Sequence, residues 1–323
     1  MAHTPAQPDH PAFLAPLGLY AALAHAAELA AECIAPSTRR AYAADWQAFV
    51  GWTEAQGGRV SPALPVSVAI CAAYLADLER EGKSVATIRR RARGLAHAHR
   101  EAGLEPPTND ARIRRVLAGI ARSRAAAGDR PKRKRALSPS MVRAALADLS
   151  TRDRALVLVA LVTGLRRSEL AALRWSDVEP MSEGLIAWVR RSKTDQAGEG
   201  RPVAVPRGRG LACPVRALRE LRSRRELDGE AGLERRVFEC SGRTIARVIK
   251  RVAELAGEDP RQFGAHSARA GMLTTASEAG VDLAGIMRQS GHASTSVALG
   301  YIRPAEQARN PAARAVVDSL TKV

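Results

Sequence analysis

Between Tyr42 and Ile120 the apolar residues recur at the three- and four-residue spacing of a helix face. Tyr42, Trp46, Phe49 and Val50 form one stripe and Val68, Cys71, Ala72 and Leu75 the next; Ile88, Leu95, Ile113, Val116, Leu117 and Ile120 continue it. Gly57-Gly58, Glu81-Gly82 and the stretch from Gly103 to Asn109 interrupt the stripes as loops do. No strand-like alternation intervenes. Residues 12–124 are therefore expected to form a bundle of four or five helices, behind a Pro- and His-rich tail at 1–11 that is expected to be disordered. The Ala-rich stretch from Pro11 to Pro36 is broken by His25, Glu28 and Glu32 and has no basic leader. It reads as a soluble helix, not as a membrane span or signal segment.

The pattern stops at residues 125–136, where Arg130, Lys132, Arg133, Lys134 and Arg135 place five cations in six positions. An extended linker is expected there, either a solvated tether or a strap along a phosphate backbone. A second domain, 137–323, opens with a helix cap at Ser138 or Ser140. Arg152 to Thr163 reads as a helix with an apolar inner side, and a short helix follows Gly164. Between Leu185 and Val205 the period falls to two: Leu185, Ala187 and Val189 share one face, and Val203 and Val205 return after a polar turn. That is a β-hairpin. Helical periodicity resumes at Pro214, so the expected fold is mostly α in two domains, an N-terminal helical bundle and a C-terminal mixed α/β domain with a small antiparallel sheet. A chain of 323 residues is long enough for two cores.

Charge narrows the partner. Fifty Lys plus Arg against 33 Asp plus Glu leave a formal charge of +17, which suits a polyanion, most commonly nucleic acid. Cys33, Cys71, Cys213 and Cys240 show neither CxxC spacing nor clustering with histidine. Neither a zinc site nor a disulfide framework is expected, and a reducing, cytoplasmic setting fits.

Chemistry on a phosphodiester needs a nucleophile, cations for the phosphoryl oxygens, and proton donors and acceptors. Beyond residue 137 there is one tyrosine, Tyr301, and two histidines, His266 and His292. Only six of the 50 cations are lysines, leaving 50 − 6 = 44 arginines. Lys193, at the tip of the hairpin, is thus either an ordinary turn residue or a side chain chosen because, unlike arginine, it can give up a proton. His266-Ser-Ala-Arg269 puts two side chains on one side of a helix start. Arg166 stands between two helices, with Glu169 three residues on to brace it. Two arginines on separate helices can grip one phosphate.

Taken together and in order, Arg166, Lys193, His266, Arg269, His292 and Tyr301 resemble the active-site set of the tyrosine recombinase, or phage integrase, family. Thr163-Gly-Leu-Arg-Arg-Ser-Glu-Leu170, His266-Ser-Ala-Arg-Ala-Gly271, Ser290-Gly-His292 and Gly300-Tyr-Ile-Arg303 are similar to its local motifs. The resemblance is strong over residues 137–303 and looser before them. It implies that Arg166, Arg269 and His292 hold the scissile phosphate, that His266 helps take the Tyr301 proton, and that Lys193 protonates the departing 5′-hydroxyl. Cleavage would leave a 3′-phosphotyrosyl link and consume no ATP, with cations in place of a metal and no cofactor.

The resemblance also implies double-stranded DNA with inverted half-sites, held by two domains and by four copies of the chain on two sites. Thr87, Arg89, Arg90, Arg91 and Arg93 are the expected contacts in the first domain, with Arg243, opening a helix, as a reader of guanine in the second. Residues 306–320 carry Ala312, Ala313, Val316, Val317 and Leu320 on one stripe. This helix either packs on its own domain or is donated to a neighbour. The expected place of action is the nucleoid. A type IB topoisomerase or telomere resolvase uses similar chemistry, and a non-catalytic DNA-binding regulator could share the fold; reaction products separate them.

Overall fold

The computed structural model describes residues 22–26, 28–29, 33–57, 63–129, 133–190, 200–230, 232–300 and 319. They fall into two compact units divided between Lys132 and Arg133.

The first unit is helical. Its main elements are α1 (Pro36–Ala55), α2 (Val68–Arg80), α3 (Val85–Glu101) and α4 (Ala111–Ala126), and residues 22–26 and 28–29 are helical as well. Ser67, Ser84 and Asp110 start α2, α3 and α4 by accepting the backbone N–H of Ile70, Thr87 and Arg112, which pairs donors that the first turn leaves open. Phe49, Cys71, Tyr74, Leu75, Ile88, Leu95 and Ile113 are fully buried between them. Helices α1 and α3 approach closely at Gly94, where a Cβ would lie 2.7 Å from that of Asp45. Buried His99 pins the loop before α2: its Nε2 accepts the Val66 N–H at 3.0 Å, which assigns the proton to Nδ1, 2.7 Å from the Leu95 carbonyl.

Helix α4 runs on to Ala126, so the first residues of the expected linker are helical. Its far end is not a free tether either. The Arg135 N–H donates to the Gln262 carbonyl at 2.8 Å and the Leu137 N–H to that of Ser267 at 2.9 Å. The run of cations gave no sign of this, because backbone bonds and buried Leu137 take part in the docking beside the basic side chains.

The second unit continues with α5 (Pro139–Ala145), α6 (Thr151–Thr163) and α7 (Arg167–Ala172), then strands β1 (Val178–Met181), β2 (Gly184–Val189) and β3 (Arg201–Pro206). Helices α8 (Pro214–Leu227), α9 (Gly242–Leu255), α10 (Ser267–Glu278), α11 (Leu283–Ser290) and α12 (Thr295–Leu299) follow. Of the two candidate caps, Ser138 accepts the Met141 N–H. Helix α6 is more than one-sided. Ala155 to Ala160 are all buried, because α6 packs against α8, α10 and β3 at once, the condition of a helix apolar on every face. The hairpin register pairs Leu185 with Val205 and Ala187 with Val203, and all four are buried. Strand β1 was not foreseen. Val178-Glu-Pro-Met181 has no alternation, its last three residues are exposed, and it forms an edge of the sheet, where proline is tolerated. Among the described residues no helix is long and apolar enough to cross a membrane.

Gly271 in α10 marks the tightest join. A Cβ there would sit 2.0 Å from the Leu137 carbonyl oxygen, so Gly271→Ala should lower stability by about 3 kcal/mol. Gly119, in α4, has nothing within 4 Å, and Gly119→Ala should be neutral or stabilising by about 0.5–1 kcal/mol. Urea unfolding of the two full-length variants tests both; equal midpoints would contradict the packing at Gly271.

Candidate active site

A single turn gathers the site. Helix α11 ends at Gly291, whose φ of +68° suits glycine, and His292 follows directly. Arg269, on the first turn of α10, is almost wholly buried. Its Nη1 lies 2.6 Å from both the Gly164 and the Ser290 carbonyls. Its Nη2 lies 3.0 Å from each ring nitrogen of His292, and the Ser290 hydroxyl is 2.7 Å from His292 Nδ1. Carbonyls thus hold a buried cation in place without neutralising it.

Arg166 precedes α7 and reaches the same turn, donating from Nη2 to the Gly291 carbonyl at 3.0 Å. The buried carboxylate of Glu169 fixes it twice. Oε2 accepts the Arg166 backbone N–H at 2.8 Å, and Oε1 accepts Nη1 at 2.7 Å. The i, i+3 spacing thus serves as helix cap and ion pair at once. Exposed His266 forms the N-cap of α10.

A third guanidinium was missed in the sequence. Arg201, the first residue of β3, contacts the Gln289 and Ser290 carbonyls at 3.1 and 3.2 Å and stands 3.7 Å from Glu169 Oε2. Its signal was faint: one arginine among 44, at the mouth of an alternating strand.

Burial first, then Arg269, Arg166 and Arg201, push the His292 imidazole down to about 4. Desolvation, followed by Arg167, Arg269 and Arg166, also lowers His266, even though that residue as a whole is solvent-accessible. Both rings are therefore neutral at pH 7, able to accept or donate a proton through a chosen nitrogen.

Of the remaining candidates, Lys193, Tyr301, Arg130 and Lys132 lie outside the described residues. Gly300, immediately before Tyr301, accepts from the Arg133 guanidinium. Lys134 donates to the Arg261 carbonyl at 2.6 Å, and Arg135 pairs with Glu258 and covers the Phe263 ring. In the first unit, Arg90 pairs with buried Asp45 at 2.7 Å and Arg91 donates to the Tyr74 hydroxyl at 3.2 Å. Those two guanidiniums serve the bundle's own fold. Arg89 and Arg93 instead line an open groove of about 450 Å³ with Tyr42, Arg100 and Thr108. The Thr87 hydroxyl sits 2.9 Å from that of Ser84 in the α3 cap, and Arg243 is exposed on the first turn of α9. Among the described residues no three His, Cys, Asp or Glu side chains gather as a metal site.

The model of the phage integrase family matches residues 137–308, more than half of the chain. The chain belongs to this family. It is a tyrosine-type site-specific recombinase. It is 29% identical over 288 residues to an XerD-homologous integrase/recombinase of Selenomonas ruminantium, covering 83% of this chain and 82% of the relative. It is 24% identical over 280 residues to the Cre recombinase of Escherichia phage P1, covering 80% and 81%. Among solved structures, the XerH recombinase in a pre-cleavage complex with its difH substrate aligns at a TM-score of 0.55 and 16% identity, over 84% of this chain and 79% of that one. A lambda integrase dimer bound to a core site aligns at 0.54 and 22%, over 88% and 77%. The recombinase fold is thus shared at identities where few side chains are.

The depressed histidine values set a sign for stability. The unfolded chain takes up protons near pH 6.5 and the folded one only near 4 at His292, so this contribution is complete above pH 6.5 and is lost as pH falls towards 4. Urea midpoints should therefore drop between pH 7 and pH 5, with a shallower drop in His292→Asn. An identical slope in that variant would refute the assignment.

Proposed function

We propose that this recombinase cleaves one DNA strand by attack of the Tyr301 phenol oxygen on a backbone phosphorus. The P–O5′ bond breaks as the new P–O bond forms, leaving a 3′-phosphotyrosyl link. A free tyrosine is ionised about one part in a thousand at pH 7, a deficit of roughly 4 kcal/mol. Arg166 and Arg269 offset it by stabilising charge on the phosphoryl oxygens, and His292 donates to one of them. Neutral His266 accepts the phenol proton, and Lys193 delivers one to the departing 5′-oxygen. Attack by a 5′-hydroxyl of a second duplex reverses the same step on a new partner. One phosphoester replaces another, so neither nucleotide hydrolysis nor a cofactor is required.

The observation that carries this reading is the convergence of Arg166, Arg269 and His292 on the turn at Ser290–Gly291. Double-stranded DNA with inverted half-sites is the substrate. Arg89, Arg93 and Arg243 are its foremost side-chain contacts, with Thr87 and the basic run Arg130 to Arg135 beside them. Arg90 and Arg91, tied to Asp45 and Tyr74, contribute field more than direct contact. The reaction takes place on the nucleoid in the cytoplasm.

Four copies act on two sites, a reading that the similarity to a lambda integrase tetramer bound to a Holliday junction supports. Residues 306–320 link them, laying Ala312, Ala313, Val316, Val317 and Leu320 against a neighbour. An apolar groove of about 540 Å³, lined by Leu146, Leu158, Leu161, Met272, Ala276 and Ile286, supports this reading as the receiving face.

Selection of bound duplexes from a random library, followed by nicked versions of the selected site, tests the chemistry. Wild type should form a covalent protein–DNA adduct and Tyr301→Phe none. Arg166→Ala and Arg269→Ala should slow the adduct by about 10²–10³-fold with affinity nearly intact; a matching loss of binding would reassign both to docking. Deleting residues after Arg309 should leave binding and abolish synapsis in a two-site bridging assay, and unchanged recombination would refute the exchange.

A further inference from the structure

Helix α11 leaves four carbonyls without intrahelical partners, those of Met287, Arg288, Gln289 and Ser290. The Gly291 N–H takes the first, at 2.7 Å. The other three all meet one side chain. Arg201 places Nη1 3.4 Å from Arg288 O and 3.1 Å from Gln289 O, and Nη2 3.2 Å from Ser290 O. It is a C-terminal cap supplied from another element, β3. The turn makes room for it: a Cβ on Gly291 would lie 2.4 Å from Arg201 Nε.

This cap differs from an ordinary surface arginine. The Arg201 side chain is about one-fifth exposed, with Glu169 as its counter-charge, and burial is the first cause lowering its own ionisation. The carboxylate that braces Arg166 thus stands between two guanidiniums. Moreover, the carbonyls that Arg201 and Arg166 hold, at Ser290 and Gly291, are consecutive, and Arg269 shares the first of them. A shift of Arg201 would move the turn on which both phosphate-binding arginines and His292 depend.

We propose that Arg201 is a positioning residue of the strand-cleavage site, clamping the end of α11 so that His292, Arg166 and Arg269 are held in register for the phosphate. Its Nη donors are engaged by carbonyls and its Nε is buried, so it acts through those groups and not on the substrate. Because β3 is the return strand of the hairpin whose connection contains Lys193, the clamp also joins the end of that hairpin nearest the connection to the turn. The inference rests on the cleavage reading above.

Arg201→Lys and Arg201→Met test it, in the full chain on the nicked selected duplex. A 1 Å displacement of catalytic groups costs on the order of 10²-fold. Arg201→Met should accordingly slow single-turnover adduct formation by ~30–100-fold while its DNA dissociation constant stays within about threefold. His292 faces Arg269 from α10, Arg166 at the start of α7 and Arg201 from β3, with Glu169 paired to the latter two and His266 heading α10. Loss of one of these cations should raise the His292 titration midpoint, read from imidazole resonances, from about 4 towards its ordinary value. Arg201→Lys keeps the charge, so the midpoint should stay low. One ammonium cannot span three carbonyls, so cleavage should recover only in part.

Adduct rates within twofold of wild type in both variants would overturn the proposal. So would a slowed rate that merely tracks the folded fraction with the His292 midpoint unmoved in Arg201→Met. Should Arg201→Met fail to fold, Arg201→Lys decides alone, and wild-type cleavage by it overturns the clamp. Absence of an adduct from wild type itself would instead overturn the cleavage reading on which the clamp stands.

Discussion

The catalytic unit depends on how the last turn of α11 finds partners for its carbonyls. A helix end buried without donors is costly, and here the donors are guanidiniums from three different elements. Arg201 comes from the sheet, Arg166 from the α6–α7 junction and Arg269 from α10. Each supplies the turn with hydrogen bonds and receives orientation in return. The guanidiniums are thereby immobilised by backbone oxygens, in the manner that the proposed phosphate contacts would need.

Three like charges in one place would repel. Glu169 offsets this by pairing with Arg166 and standing near Arg201, and it is itself buried, so its attraction is weakly screened. Burial first, and then Arg269, Arg166 and Arg201, hold the His292 imidazole below its ordinary value. The ring thus joins the site as a hydrogen-bonding group instead of a fourth cation. Gln289 completes the scaffold by donating to the Val162 and Ala204 carbonyls at 3.0 and 2.8 Å, which ties α11 to α6 and to β3.

Much of this was legible in the residues. The stripes of Phe49, Cys71, Leu75, Ile88 and Leu95 do form the first core, and the alternation of Leu185, Ala187, Val203 and Val205 does set the hairpin register, because burial imposes period on sequence. Arg166, Glu169, Arg269 and His292 stood out through local motifs, and they converge. Arg201 did not stand out, since its role lies in contacts with carbonyls more than 80 positions away, and backbone oxygens leave no mark on residue type. For the same reason the docking of Arg135 and Leu137 was hidden within a run of cations, and Arg90 and Arg91 could not be told from Arg89 and Arg93 until Asp45 and Tyr74 were placed beside them. The edge strand β1 escaped because an exposed strand has no buried face to alternate.

The close seating of Leu137 beneath α10 has a mechanical corollary. Since the Leu137 carbonyl fills the space a side chain at residue 271 would need, and its N–H is bonded to Ser267, the entering chain is anchored beside the turn of α10 that begins at His266 and carries Arg269. Arg133, Lys134 and Arg135, just ahead of Leu137, are bonded to Gly300, Arg261, Gln262 and Glu258, so tension along the entering chain is shared among several points of the catalytic unit. A covalent connection thereby becomes a distributed anchorage whose innermost point lies beside Arg269.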